Sequence, residues 1–498
     1  MTVAGTLGRS RGIAFVGNYP PRRCGIATFT HDLAEAVAAQ CGAAQPVAVC
    51  AQNDIEEGYE YPERVRFEVR QSSIADYARA ADYLNFSNVD VVSLQHEYGI
   101  FGGQAGANVL TLLRDLRSPL VVTCHTVFND PLPEQREVFL EIAARARKLV
   151  VMSEKAFGFL EKIYDVDRDK IVLIPHGIHD VPFIDPSYYK DKFGVEGRRV
   201  LLTFGLLSRN KGIESVIEAL PRILEVQPNV TYLVLGATHP AVLRTEGESY
   251  RLELQRKVRE LGLEQHVLFH SRFVGLEDLL EYIGACDILV TPYHNLDQIT
   301  SGVLAYAMGA GKAVVSTPYW HAAELLAEGR GRLVPPGDSE AIATQISELF
   351  ADEVGLSALR KRAYLHCRPM VWSAVARSYL ELFDDVRSHG RPSYPVSSSA
   401  ARPIAATSLP TPMLDHLLRL GDDTGLAHHA RRALPDWSHG YWLEDAAGAT
   451  VAATKFHASF GTSQAVRLAE RNLALIQLMV GDGVEAIGVL TYGRQPAR

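Results

Sequence analysis

Arg209 and Lys211 lie two residues apart in TFGLLSRNKGIESVIEAL, residues 203–220, between a run of strand character and a run of helical periodicity. The strand ends at Gly205, a polar loop carries Ser208, Arg209 and Lys211, and Gly212 opens the helix. Such a loop suits a diphosphate. Arginine grips phosphate oxygens through forked hydrogen bonds, lysine supplies a point charge, and the unpaired amides of the helix N-terminus stand behind both. The spacing is not that of a Walker loop, whose Gly–Lys–Ser/Thr order differs. A solvated turn is the plain alternative; the place after a strand favours the diphosphate.

Other polar residues gather where strands end. In NYPPRRCGIATFTHDL, 18–33, paired prolines stiffen a loop, Gly25 permits close approach of a ligand, and Thr28 or Thr30 can cap the following helix. This loop is either an anion cradle or a capped connection with surface arginines. SLQHEYGIFGG, 93–103, puts His96, Glu97 and Tyr98 just beyond a strand, and VVTCHTVFND, 121–130, puts His125 at the end of the next. Ligands of open α/β sheets collect outside the carboxyl ends of strands, which makes these residues candidate sugar or acceptor contacts. A histidine hydrogen-bonded within its own loop is the competing reading for each. DQITSG, 297–302, reads either as an Asp/Thr/Ser helix cap or as a ligand loop. No close His/Cys pair and no acidic triplet suggests a metal.

These residues need a scaffold, and the chain supplies strand-like and helical runs in alternation through residue 350. GIAFVG, PVAVCAQ, LVVTC and KLVVMS, then RVLLTF, TYLVLG, CDILVT and KAVVST, are short unbroken apolar runs, as expected of strands covered on both faces. The economical reading is α/β: two doubly wound, Rossmann-like domains over residues 1–185 and 186–388, a Pro/Ser/Ala-rich linker over 389–410, and an α-helical appendage over 411–498. A net charge of −8 without a basic run argues against nucleic-acid binding. No apolar run reaches membrane-spanning length, and no signal pattern opens the chain. Cys24, Cys41, Cys50, Cys124, Cys286 and Cys367 are scattered without paired spacing and read as reduced thiols of a cytoplasmic protein.

The order of GNYPPRRCGIATFT, TCHT, VVMSE, IPHG, FGLLSRNKG, TPYHN, LAYAMGAGKAVVST and GRLVPPGD resembles that of family-4 retaining glycosyltransferases of the GT-B fold, over roughly residues 12–388. The resemblance implies two domains facing a cleft, a nucleoside diphosphate sugar held mainly by the second, and a carbohydrate or lipid-linked acceptor approaching the first. It implies no metal and no organic cofactor, and it allows peripheral membrane contact. Gly25, Gly205 and Ser208 fall on donor-binding positions, His125, Arg209 and Lys211 on the catalytic ones, and His96, Glu97 and Tyr98 on the acceptor side. Members of the family usually carry two glutamates in the donor loop, the first contacting the donor sugar and the second the nucleotide ribose. Here Gln298 and Tyr306 stand at those positions, and Thr300, Ser301 and Gly302 occupy the part of the loop that presents amides to sugar and phosphate. The altered pattern is similar to a bacterial mannosyltransferase-like branch. Residues 414–448 resemble the opening of an α-helical toroid domain fused to that branch, here truncated; Asp436, His439, Glu444 and Asp445 are read as structural.

The leading expectation is therefore a retaining hexosyltransferase. A sugar phosphorylase of similar architecture and a non-catalytic carbohydrate-binding protein are the alternatives.

Overall fold

A computed structural model describes residues 12–42, 45–87, 89–388, 412–431, 434–480 and 489–490. The first sheet contains β1 (Gly12–Gly17), β2 (Val47–Asn53), β3 (Val65–Arg70), β4 (Val89–His96), β5 (Leu120–Cys124), β6 (Lys148–Val151) and β7 (Ile171–Leu173). All are parallel, in the order β3-β2-β1-β4-β5-β6-β7. The period of two along each strand divides the core. Ile13 and Phe15 pack with the helix Gly25–Cys41 on one face. Ala14 and Val16 pack with the helices Ile74–Phe86, Val109–Asp115 and Pro133–Arg145 on the other.

The second sheet repeats this design with β8 (Arg199–Phe204), β9 (Val230–Leu235), β10 (Val267–His270), β11 (Ile288–Thr291), β12 (Ala313–Ser316) and β13 (Arg332–Leu333), ordered β10-β9-β8-β11-β12-β13. The order reverses between β1 and β4 in one sheet and between β8 and β11 in the other, and the carboxyl ends of both switch points face a common cleft. Two Rossmann-like domains arranged in this way are the GT-B architecture. The segment between Leu173 and Arg199 joins them.

The chain returns to its beginning. The helix Trp372–Ser388 lies against the first sheet, where Trp372, Val375, Tyr379 and Phe383 join the core of Ile13 and Phe15. Tyr379 Oη is 2.9 Å from Thr123 Oγ1, and Arg387 reaches Asp90 at 3.0 Å. Gly177 permits this crossing, since a Cβ there would lie 2.2 Å from the Trp372 ring. The six cysteines are free thiols.

The appendage is not purely helical. Helices Leu443–Phe460 and Ser463–Val480 fall where the periodicity puts them, but β14 (Ala427–Arg431), β15 (Leu434–Trp442) and β16 (Val489–Leu490) form an antiparallel sheet beside them. AHHAR and LPDWSHGYW carry too little apolar alternation to announce strands. The linker 389–410 lies outside the described residues. The appendage docks on the first domain through Arg419, whose guanidinium meets the buried Asp76 carboxylate at 2.5 Å. Asp76 also holds Arg70 at 2.9 Å and Arg79, so it stays paired if Arg419 is removed. Deleting residues 400–498 is thus expected to leave a cooperatively melting, nucleotide-binding protein. Insolubility of the truncated form, or loss of binding in calorimetry, would make the appendage part of the core.

Candidate active site

A cavity of about 560 Å³ opens between the carboxyl ends of the two sheets. One wall is built by the loop and first turn after β1 (Cys24 to Phe29) and by Glu97, His125 and Thr126; the other by Phe204–Ser208, Lys211, Leu235–Ala237 and the loop before the helix Gly302–Gly309. Gly205 and Gly236 bring two strand ends together: Gly236 has φ +149°, and a Cβ on it would strike the Gly205 carbonyl at 1.9 Å.

Two cations among the described residues line the cavity, Arg272 and Lys211, and of the two the sequence pointed to Lys211. A single turn over Arg209–Lys211 carries its side chain to the cavity wall, where the ammonium donates to Tyr293 Oη at 2.8 Å and sits 4.0 Å from the ring centroid. Tyr293 is itself buried and stacked on Tyr319. No carboxylate among the described residues pairs with Lys211, and burial lowers its pKa to about 8.

Arg209 does not share this role. The same turn points it outward, where Glu253 receives both guanidinium ends at 2.7 and 2.8 Å and Glu246 a third contact at 3.3 Å. The amide of Ile213, first in the helix behind, is also taken, donating to Tyr250 Oη at 3.2 Å. The expected pair of cations backed by a helix end reduces to Lys211.

In the donor loop, Gln298, Thr300 and Gly302 line the cavity, and Ser301 does not. Ser301 caps the helix Gly302–Gly309 by accepting from Leu304 N at 3.3 Å, while its own amide donates to His321 Nδ1 at 2.8 Å. Burial drops the His321 pKa to about 3, which keeps that nitrogen an acceptor. Gln298 donates to the Thr300 carbonyl at 3.0 Å, leaving its carbonyl oxygen for a ligand, and the Thr300 hydroxyl has no hydrogen-bond partner among the described residues. Gln298→Ala is expected to weaken sugar-nucleotide binding by about 0.5–1.5 kcal/mol and to leave the bare diphosphate nearly unaffected. Calorimetry with both ligands checks this, and equal losses would remove Gln298 from the sugar contact.

Tyr306 contributes its ring to the wall, but its hydroxyl is spent elsewhere. It donates across the domains to Asp32 Oδ2 at 3.0 Å. Asp32 is buried and also meets His179 at 3.1 Å and His31 at 3.0 Å. Burial opposes its ionisation, yet the two histidines outweigh burial and hold the pKa at about 2. A ribose contact through the Tyr306 hydroxyl is therefore replaced by an interdomain bond.

On the first wall, His125 places Nε2 3.0 Å from Gln95 Oε1; Gln95 donates its own amide to Ser93 at 3.1 Å, which makes His125 Nε2 the donor and Nδ1 the open acceptor. Burial, with His176 and His96 nearby, lowers its pKa to about 3, so the imidazole is neutral. Glu97 lines the cavity beside it. His96 and Tyr98 do not. Both are buried, in ring contact with each other and with Phe139 and Phe128 respectively, and burial lowers the His96 pKa to about 4. The acceptor assignment thus narrows to Glu97. The sequence reading passed over His176, Arg272 and Phe273, which also line the cavity. For the last two the signal was their place in HSRFVG, directly after β10.

Fold and cleft together define a GT-B protein. Residues 24–180 match the sequence model of Glycosyltransferase Family 4, and residues 198–352 that of Glycosyl transferases group 1, together more than half the chain. The chain belongs to the family-4 glycosyltransferases. It is 25% identical over 247 residues to the lipopolysaccharide glucosyltransferase WaaG of Escherichia coli K12, covering 48% of this chain and 59% of that protein. It is 26% identical over 284 residues to the phosphatidyl-myo-inositol mannosyltransferase of Mycolicibacterium smegmatis, covering 56% and 68%. The chain thus spans somewhat over half the length of these curated relatives. Among solved structures, Anabaena HepE in complex with UDP and glucose aligns with a TM-score of 0.60 at 20% identity, over 75% of this chain and 100% of that one, and shares the fold.

Proposed function

We propose that the protein transfers a hexosyl group, with retention, from a nucleoside diphosphate sugar to a carbohydrate or lipid-linked acceptor. The observation that carries this reading is Lys211: a half-buried lysine without a carboxylate partner among the described residues, on the wall of a cleft at two switch points. A departing diphosphate gains negative charge, and a preorganised cation in a water-poor site stabilises that charge without reorganisation. Gln298 and Thr300 would hold the sugar, with His125 accepting a sugar hydroxyl on Nδ1. The reaction so drawn needs no metal and no organic cofactor, and the protein would act in the cytoplasm.

The names of the relatives support hexose donors, and a mannosyltransferase among them makes mannose the first sugar to try. No helix among the described residues is long and apolar enough to cross a membrane, so a lipid-linked acceptor would be reached from the membrane surface. Thermal-shift screening against nucleoside diphosphates and their sugars, followed by assays of donor hydrolysis, tests the proposal. Slow release of nucleoside diphosphate supports an enzyme; binding without turnover supports a carbohydrate-binding module.

A further inference from the structure

Gln298 and Thr300 line the cavity, and Ile299 between them does not. Its side chain is 3% exposed and sits in the hydrophobic core of the first domain, in a cluster whose other buried members all lie within residues 14–171. Among the described residues, Trp320 is the one other side chain of the second domain that packs against this cluster. The Trp320 ring meets Phe159 edge-on, with centroids 4.8 Å apart. One turn further on, Glu324 accepts the amides of Glu154 and Lys155 at 2.9 and 3.3 Å, at the start of the first-domain helix Glu154–Lys162. The donor loop and the helix Trp320–Leu325 are tied into one body: Trp320 N donates to the Leu296 carbonyl at 3.1 Å, and His321 N to that of Gln298 at 3.2 Å. That body belongs to the second domain by chain order and is clamped on the first by Ile299, Trp320 and Glu324.

We infer that Ile299 is a positioning residue: seated in the first domain, it fixes Gln298 and Thr300 against the donor sugar, so that the sugar is read only while the two domains are in contact. The inference rests on the transferase reading and divides its labour. Adjacent Cα atoms are about 3.8 Å apart, so Ile299 cannot leave its socket without carrying Gln298 and Thr300 with it. Leaving would also expose an isoleucine to water, and the loop therefore stays where the first domain holds it. Lys211 is different. Its partner Tyr293 and the paired strand ends at Gly205 and Gly236 all belong to the second domain, and they hold a diphosphate whatever the first domain does. The movement that brings the wall of His125 and Glu97 up to the cleft is then the movement that sets the sugar contacts.

A double-mutant cycle separates positioning from plain stability. Calorimetry on the full chain, with UDP, UDP-glucose, GDP and GDP-mannose, compares wild type, Ile299→Ala, Gln298→Ala and the double variant. Ile299→Ala is expected to weaken the sugar nucleotide about tenfold, the worth of two neutral hydrogen-bonding groups, and the bare diphosphate by less than about threefold. Gln298→Ala, which weakens sugar-nucleotide binding in the wild type, is expected to cost less than about twofold in the Ile299→Ala background, because a loop no longer held cannot use its glutamine. Ile299→Val keeps the branched shape and should stay within about threefold of wild type. Additive losses in the cycle, or an equal loss for sugar nucleotide and diphosphate, would overturn the inference, since a residue that only adds stability behaves in that way. Glu324→Ala loosens the same clamp at an exposed contact and carries the test if Ile299→Ala does not fold. It should weaken the sugar nucleotide by about threefold and spare the diphosphate, and the absence of that selectivity would overturn the inference as well. If the wild type binds none of the four ligands, the transferase reading itself falls.

Discussion

Lys211→Ala is expected to lower turnover by about 10²–10³-fold, in the range seen when a single preorganised donor to a developing anion is removed. The expectation follows from environment rather than from charge alone. Lys211 is half-buried on the cavity wall, its one side-chain partner is a neutral phenol, and desolvation has already brought its pKa to about 8. A diphosphate arriving beside it supplies the missing counter-charge, and more of that charge accumulates as the sugar leaves. Lys211→Met keeps most of the volume and should lose nearly as much, which separates charge from packing. Single-turnover rates at saturating donor are the measurement, and a loss smaller than about threefold in both variants would place the diphosphate elsewhere. A pH dependence accompanies this. The cationic form binds the diphosphate, so affinity for free nucleoside diphosphate should fall as pH rises through about 8 in the wild type and stay flat over that range in Lys211→Met.

Tyr306→Glu, which puts back the acid usual in the family, is expected to destabilise the protein by about 3–5 kcal/mol at pH 7. The Tyr306 hydroxyl donates to Asp32, and a carboxylate placed there would face a second one in a buried setting. Two carboxylates that close cannot both ionise, so one would have its pKa raised. A carboxyl raised above its unfolded value destabilises above that value, and the deficit shrinks as pH falls toward about 4.3. Tyr306→Phe removes only the donor and leaves Asp32 with His179 and His31, at a cost of about 1–3 kcal/mol. Melting temperatures from pH 5 to 8 test the order: Tyr306→Glu should lie lowest at pH 8 and draw closer to wild type at pH 5. Equal stability of all three proteins would show that the contact with Asp32 carries no weight.

Most strands of both sheets were legible because their apolar runs are covered on both faces; β3 and β7, at the edges of the first sheet, were not, since VRFEVR alternates apolar with charged residues and IVL is only three residues long. Lys211, His125 and Glu97 were legible as polar residues just beyond strands, where an open sheet binds its ligands, and Gln298 and Thr300 only through the resemblance to the family's donor loop. What failed was the direction of side chains that answer to distant partners. Arg209 is pulled away by Glu253, which lies 44 residues further on, and Tyr306 is held by Asp32, 274 residues earlier. Ser301 and Thr300 are neighbours of similar chemistry, yet capping turns one into the helix and leaves the other on the wall. His96 ends a buried strand, and only the packing of Phe101 and Phe139 around it shows that it faces the core.

The return of the helix Trp372–Ser388 to the first sheet also sets a schedule for biosynthesis. Ile13, Phe15, Val91 and Val121 leave the ribosome long before Trp372, Val375 and Phe383, which complete the cover that the helix Gly25–Cys41 begins. Until about residue 388 has emerged, the nascent first half carries a partly uncovered apolar face that invites non-native association. The second half has no such debt to its predecessor, because its own sheet is covered by helices within residues 213–366. A ribosome halted between the halves would thus present a sticky intermediate, and the chain would reach its compact state late and nearly all at once.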